Sequence, residues 1–81
     1  MKLAIRLFAS AKDLVGADVV TVETGSEATV RDLRQALCGH FPQMAALLEK
    51  SAVAVNAEFA SPAQRLKPDD EIALLPPVSG G

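Results

Sequence analysis

The sequence predicts a two-layer α+β roll, a single principal helix laid over one face of a mixed or mostly antiparallel sheet. Three observations carry this. Alternating or β-branched runs occur near both ends and in the middle of the chain, and the stretch from Thr29 to Phe41 keeps a helical period. The order β, β, α, β, β then gives that helix one sheet face to cover. With 81 residues the chain is one module with one core, because domains below roughly 100 residues are nearly always single.

Each element has its own warrant. The run Lys2 to Phe8 alternates, with Leu3, Ile5 and Leu7 facing one way and Lys2, Ala4, Arg6 and Phe8 the other. Ser10 to Gly16 reads as a loop or short helical turn stopped by Gly16. Asp18 to Thr24 is a second strand, dense in Val19, Val20, Thr21 and Val22. Thr29 then caps the principal helix, with Asp32 at its third position as a weaker relative of the capping box. Val30, Leu33, Leu37 and Phe41 form its apolar stripe, and Arg31, Arg34 and Gln35 are left for water. Pro42 ends it, and Met44 to Glu49 adds a short helical piece. Ser51 to Asn56 is a third strand that turns at Asn56-Ala57-Glu58. Lys67-Pro68-Asp69-Asp70 is a turn, and Glu71 to Leu75 is the last strand, closed by Pro76-Pro77.

Composition excludes several function classes. Eight basic and ten acidic residues give a net charge of −2, which argues against a nucleic-acid or anionic-membrane partner held by bulk electrostatics. Three phenylalanines and no Trp or Tyr supply few stacking platforms for bases. One cysteine and one histidine form neither a disulfide nor a structural metal site, so no metal is expected. Charges at Lys2 and Arg6 interrupt the apolar stretch a signal peptide needs, and no run reaches membrane-spanning length. The expectation is a soluble cytoplasmic protein.

Internal candidates for chemistry are weak. Cys38 lies beside the helix stripe and reads as a small boundary hydrophobe. His40 lies at the helix C-terminus, where an imidazolium suits the dipole, with no acid or nucleophile spaced to serve it. Asp69, Asp70 and Glu71 lack the spacing of a calcium loop and read as a solvated turn. The uncovered sheet face is more informative: alternation puts Phe8 and Leu75 on it, with Arg6 and Lys12 at its rim. An apolar patch with a charged rim suits a partner interface.

The last six residues, Pro76-Pro77-Val78-Ser79-Gly80-Gly81, stand apart. A terminal Gly-Gly arises by chance in roughly 0.5% of chains at a glycine frequency of about 7%. The prolines fix φ and force extension, so the segment can project about 20 Å. Gly80 and Gly81 make the narrowest peptide available and leave the terminal carboxylate unhindered. A carboxylate becomes an acyl donor once ATP supplies a leaving group. The working group is therefore expected to be the Gly81 carboxylate, lent to a partner's active site.

The sequence resembles the small-subunit family of molybdopterin synthase, ubiquitin-like β-grasp sulfur carriers, over essentially its whole length. The resemblance rests on Leu7-Phe8-Ala9, Leu14-Val15-Gly16, Thr29-Val30 with Leu33-Arg34, Ala54-Val55-Asn56, Leu66, Asp69-Asp70-Glu71 and the Pro-Pro-Val-Ser-Gly-Gly ending. Leu74-Leu75 departs from members with aromatics just before the prolines. The resemblance implies a β-grasp domain over residues 1–75 and an extended tail over 76–81, with the first and last strands adjacent at the sheet centre. It also implies a cycle. A ubiquitin-activating-like adenylyltransferase, the nucleotide-binding partner, joins AMP to Gly81. A sulfur donor then converts the adduct to a thiocarboxylate, with no cofactor held permanently. Pro76, Pro77, Val78, Ser79 and Gly80 carry that tip into the large synthase subunit, in a heterotetramer of two large and two small subunits. Sulfur passes to a pterin precursor during molybdenum cofactor biosynthesis, and this chain supplies the nucleophile without a complete active site. Carriers for thiamine or tRNA thiolation, a ubiquitin-like modifier of lysines, and a β-grasp interaction domain with an inert tail remain as alternatives.

Overall fold

In the computed structural model, which describes residues 1–77, the first strand obeys its alternation. Strand β1 (Lys2–Leu7) buries Leu3, Ile5 and Leu7 and exposes Lys2, Ala4 and Arg6. It ends one residue before the expected Phe8, because Ala9 adopts φ 49 and turns the chain into a helix. That helix, α1 (Ala9–Val15), is longer than the expected loop or single turn. Gly16 closes it at φ 80, its N–H donating to the Lys12 carbonyl at 2.7 Å. Strand β2 (Val19–Glu23) returns antiparallel to β1, Ile5 opposite Val20 and Leu3 opposite Val22.

Helix α2 (Val30–His40) has a complete capping box rather than a weak relative of one. The Asp32 N–H donates to Thr29 Oγ1 at 3.3 Å, and the Thr29 N–H donates to Asp32 Oδ2 at 2.9 Å. Two otherwise orphaned backbone donors are thereby satisfied. Val30, Leu33 and Leu37 are buried, while Phe41 forms the C-cap and is half-buried. A 3₁₀ turn (Pro42–Met44) and helix α3 (Ala45–Lys50) follow. Arg34 is not left to water as the sequence suggested. Its two terminal nitrogens donate to the Leu48 and Ser51 carbonyls at 2.6 and 2.8 Å, tying the end of α3 to α2. Helical periodicity alone placed Arg34 outside, because the carbonyls it satisfies, at and just past the end of α3, come from fourteen to seventeen residues away.

Strand β3 (Ala52–Val55) is joined to a short strand, β4 (Glu58–Phe59), by the two-residue turn Asn56-Ala57, both at positive φ. The sequence reading caught the turn and missed the strand. Strand β5 (Ile72–Leu75) runs parallel to β1 and antiparallel to β3, giving the order β2-β1-β5-β3-β4. The sheet is mixed, and the first and last strands are neighbours, with β5 at the centre. Leu3, Ile5, Leu7, Leu33, Leu37, Ile72 and Leu74 meet in one aliphatic core between sheet and helices. Burying each contributes about 1.5–3 kcal/mol.

A candidate docking site at the end of the central strand

The valines of β3 and the isoleucine and leucine of β5 turn to the core. Period-two geometry therefore sends Ala52, Ala54, Ala73 and Leu75 to the opposite face. Registry lines them up: Ala52 is opposite Leu75, Ala54 opposite Ala73, and Ala54 also opposite Phe59. At the Ala52–Leu75 end of this face opens a hollow of ≈ 490 Å³. It is lined by Phe8, Ala9, Lys50, Ala52, Phe59, Leu75, Pro76 and Pro77. Phe8 is 41% exposed and Phe59 79%, a large cost in unburied apolar area unless something covers them.

Of the residues singled out by sequence, Phe8, Leu75, Pro76 and Pro77 are brought together here. Arg6 and Lys12 are not on this hollow. They flank a neighbouring one on the other side of Phe8, with Asp18 and Val19. Arg6 places its guanidinium carbon 5.9 Å from the Phe8 ring centroid and lies 3.9 Å from Glu71. Lys12 Nζ is 2.7 Å from Asp18 Oδ1, and that hydrogen bond and charge raise the Lys12 amine above its usual 10.5. Both rim cations are thus already matched within the chain. Val78, Ser79, Gly80 and Gly81 lie outside the described residues.

Phe59 and Lys50 were missed by sequence reasoning. The signal for Phe59 was present: a two-residue turn at Asn56-Ala57 pairs Val55 with Glu58 and so Ala54 with Phe59, on the alanine face. Lys50 comes from the end of α3, and only tertiary packing carries it to the hollow.

Other surfaces offer less. The depression between the β2–α2 loop and α2 is lined mostly by polar residues, and its Asp32 is engaged in the helix cap. Among the described residues no cluster of three or more His, Cys, Asp or Glu is placed to hold a metal ion, and no helix is long and apolar enough to cross a membrane. Cys38 is half-buried against the core. Asp70 spends its carboxylate on the Lys67 N–H at 2.7 Å and on Asn56 Nδ2 at 3.0 Å.

The sequence profile of the ThiS family matches residues 5–81, nearly the whole chain. The chain belongs to the ThiS family. This ThiS-family chain is 41% identical to the molybdopterin synthase sulfur carrier subunit of Dictyostelium discoideum, over 95% of this chain and 93% of that protein. It is 36% identical to the Escherichia coli (strain K12) protein of the same name, over 98% and 99%. Among solved structures, SAMP1 from Haloferax volcanii superposes with a TM-score of 0.88 at 31% identity, covering 100% of both chains. The ThiS-family fold seen here is the ubiquitin-like β-grasp implied by the sequence resemblance.

Proposed function

We propose that this chain is the sulfur carrier subunit of molybdopterin synthase, working through the Gly81 carboxylate. The observation that carries the reading is similarity over nearly the full length to proteins of that name, at 41% and 36% identity, joined to the Pro-Pro-Val-Ser-Gly-Gly ending. The apolar hollow supports it: Pro76 and Pro77, which begin the ending, line the same surface as Phe8, Phe59 and Leu75. A partner seated on that surface is therefore positioned to receive the residues that follow.

The cycle has three steps. A Gly81 carboxylate oxygen attacks the α-phosphate of ATP on a ubiquitin-activating-like adenylyltransferase, and pyrophosphate leaves. A sulfur donor then displaces AMP, leaving a thiocarboxylate. In the large synthase subunit the thiocarboxylate sulfur bonds to the pterin precursor, and water then cleaves the C(O)–S bond, leaving the sulfur on the precursor and returning the Gly81 carboxylate. Residues 1–75 serve as the docking domain and 76–81 as the arm. The assembly is two large and two small subunits, in the cytoplasm. AMP and sulfur are transient adducts at Gly81, and no cofactor is held.

Intact mass after incubation with ATP, the activating enzyme and a sulfur donor tests this. The expected product is heavier by the difference between sulfur and oxygen, and deletion of Gly81 abolishes both this gain and sulfur transfer. Undiminished transfer from the Gly81-deleted chain overturns the proposal. Similarity to SAMP1 favours a second reading, a protein modifier, for which the same experiment instead yields the chain joined to lysines.

A further inference from the structure

The hollow beside Pro76 and Pro77 has a neighbour. Between α1 and α3 lies a second, mainly apolar depression lined by Ser10, Leu14, Gln43, Ala46, Leu47 and Lys50. Leu14 is 44% exposed there. Lys50 is common to both depressions. It is exposed in the last turn of α3 and, like Lys2, Arg31 and Lys67, has no carboxylate partner among the described residues, whereas Arg6 and Lys12 on the other side of Phe8 each have one.

Size and charge together say which way a partner must extend. Eight residues line the first hollow, while a stable interface uses about 20–30 residues a side. Toward Arg6 and Lys12 the cations are already matched by Glu71 and Asp18. Toward Lys50 the charge is unmet, and an ammonium covered by a partner without an anion loses hydration uncompensated. The lysine stem itself is apolar and bridges the two depressions.

We propose that the large synthase subunit covers both depressions, seating an apolar side chain beside Leu14 and a carboxylate on Lys50 Nζ. This rests on the docking reading given above and extends its footprint over α3 onto α1. A lasting subunit contact needs the wider area, whereas an activating enzyme that must release the chain is served by an encounter-sized patch.

The test uses the full chain and the purified large subunit, with Kd measured by titration calorimetry at low and moderate salt. Leu14→Ser and Lys50→Glu are each expected to weaken binding by about fivefold or more, as truncation of an interface contact does. Lys50→Ala should also flatten the salt dependence, and melting temperatures should fall by only a few degrees because both side chains are partly or largely exposed. Phe59→Ser reports on the first hollow alone. If Phe59→Ser weakens binding and the Leu14 and Lys50 variants stay within twofold, the extended footprint is wrong and the docking reading stands. If all three stay within twofold, the docking reading falls and this inference with it. Loss of binding only to the activating enzyme also overturns the proposal, since the occupant is then a different protein.

Discussion

Asn56 holds Glu71 through two hydrogen bonds running in opposite directions. The Asn56 N–H donates to the Glu71 carbonyl at 2.8 Å, and the Glu71 N–H donates to Asn56 Oδ1 at 2.9 Å. Asn56 Nδ2 also reaches Asp70 Oδ1 at 3.0 Å. The β3–β4 turn is thereby fastened to the residue that precedes β5, the strand leading to Pro76. Asn suits the position twice over, because Asn56 sits at φ 53, a region its short amide side chain tolerates.

Replacing Asn56 with Ala removes both side-chain bonds and leaves the positive φ. Each exposed bond contributes about 0.5–1.5 kcal/mol. The combined loss expected in urea unfolding is about 2 kcal/mol. A change below about 0.5 kcal/mol, the range of an ordinary surface substitution, would show that the clasp contributes nothing.

Two glycine exchanges should move stability in opposite directions. Gly16 stands at φ 80 with nothing within 4 Å of where a Cβ would lie. The cost of Gly16→Ala is therefore backbone strain alone, about 1–2 kcal/mol. Ala57, at φ 69 in the hairpin turn, occupies the place where two-residue turns prefer glycine. Ala57→Gly should stabilise by up to about 1 kcal/mol, relief of strain partly offset by unfolded-chain entropy. Equal signs in thermal melts would contradict the backbone assignment at one of the two sites.

How much of this was legible in the sequence follows from interaction range. Alternation in Leu3, Ile5 and Leu7 and the Val30, Leu33, Leu37 stripe reveal the core faces, because burial there repeats with the element's own period. The cap at Thr29 and the stop at Gly16 are equally local. Arg34 was misplaced because its partners, Leu48 and Ser51, are distant in sequence. The helix α1 was underestimated because its first residue, Ala9, enters through a backbone conformation alanine rarely adopts. Phe8 and Leu75 were found by strand parity, and Phe59 was lost with the unrecognised strand β4. Pairing across β3 and β5 decides which alanines share a face, and one chain's periodicity does not encode it.

The Lys12–Asp18 contact carries a pH signature. The hydrogen bond from Asp18, then its charge, raises the Lys12 amine above 10.5. A raised folded-state value means the contribution to stability is present below 10.5 and is lost as pH rises through the folded value. Because Lys12 is exposed, the effect on overall stability is small, and the informative measurement is the lysine's own titration followed by NMR. Asp18→Asn should bring Lys12 back toward 10.5. Identical titration in both proteins would show that the 2.7 Å contact is not populated in solution.

The contrast between Leu33 and Phe8 separates folding from docking. Leu33 is fully buried, so Leu33→Ala leaves a cavity and should cost about 2–5 kcal/mol. Phe8 is 41% exposed, lies past the end of β1, and contacts the hollow rather than the core. Phe8→Ser gives up only the covered part of a partly exposed ring, and the Arg6 guanidinium above its ring contributes only about 0.5–1 kcal/mol at an exposed site. Its expected stability loss is about 1–2 kcal/mol, below that of Leu33→Ala, while affinity for the large subunit should fall at least tenfold, as for an aromatic interface anchor. Calorimetric binding and urea unfolding on the same two variants give the answer. Were Phe8→Ser to unfold the chain as Leu33→Ala does, Phe8 would be a core residue. Were it to bind as tightly as the unaltered chain, the hollow would not be the surface that meets the partner.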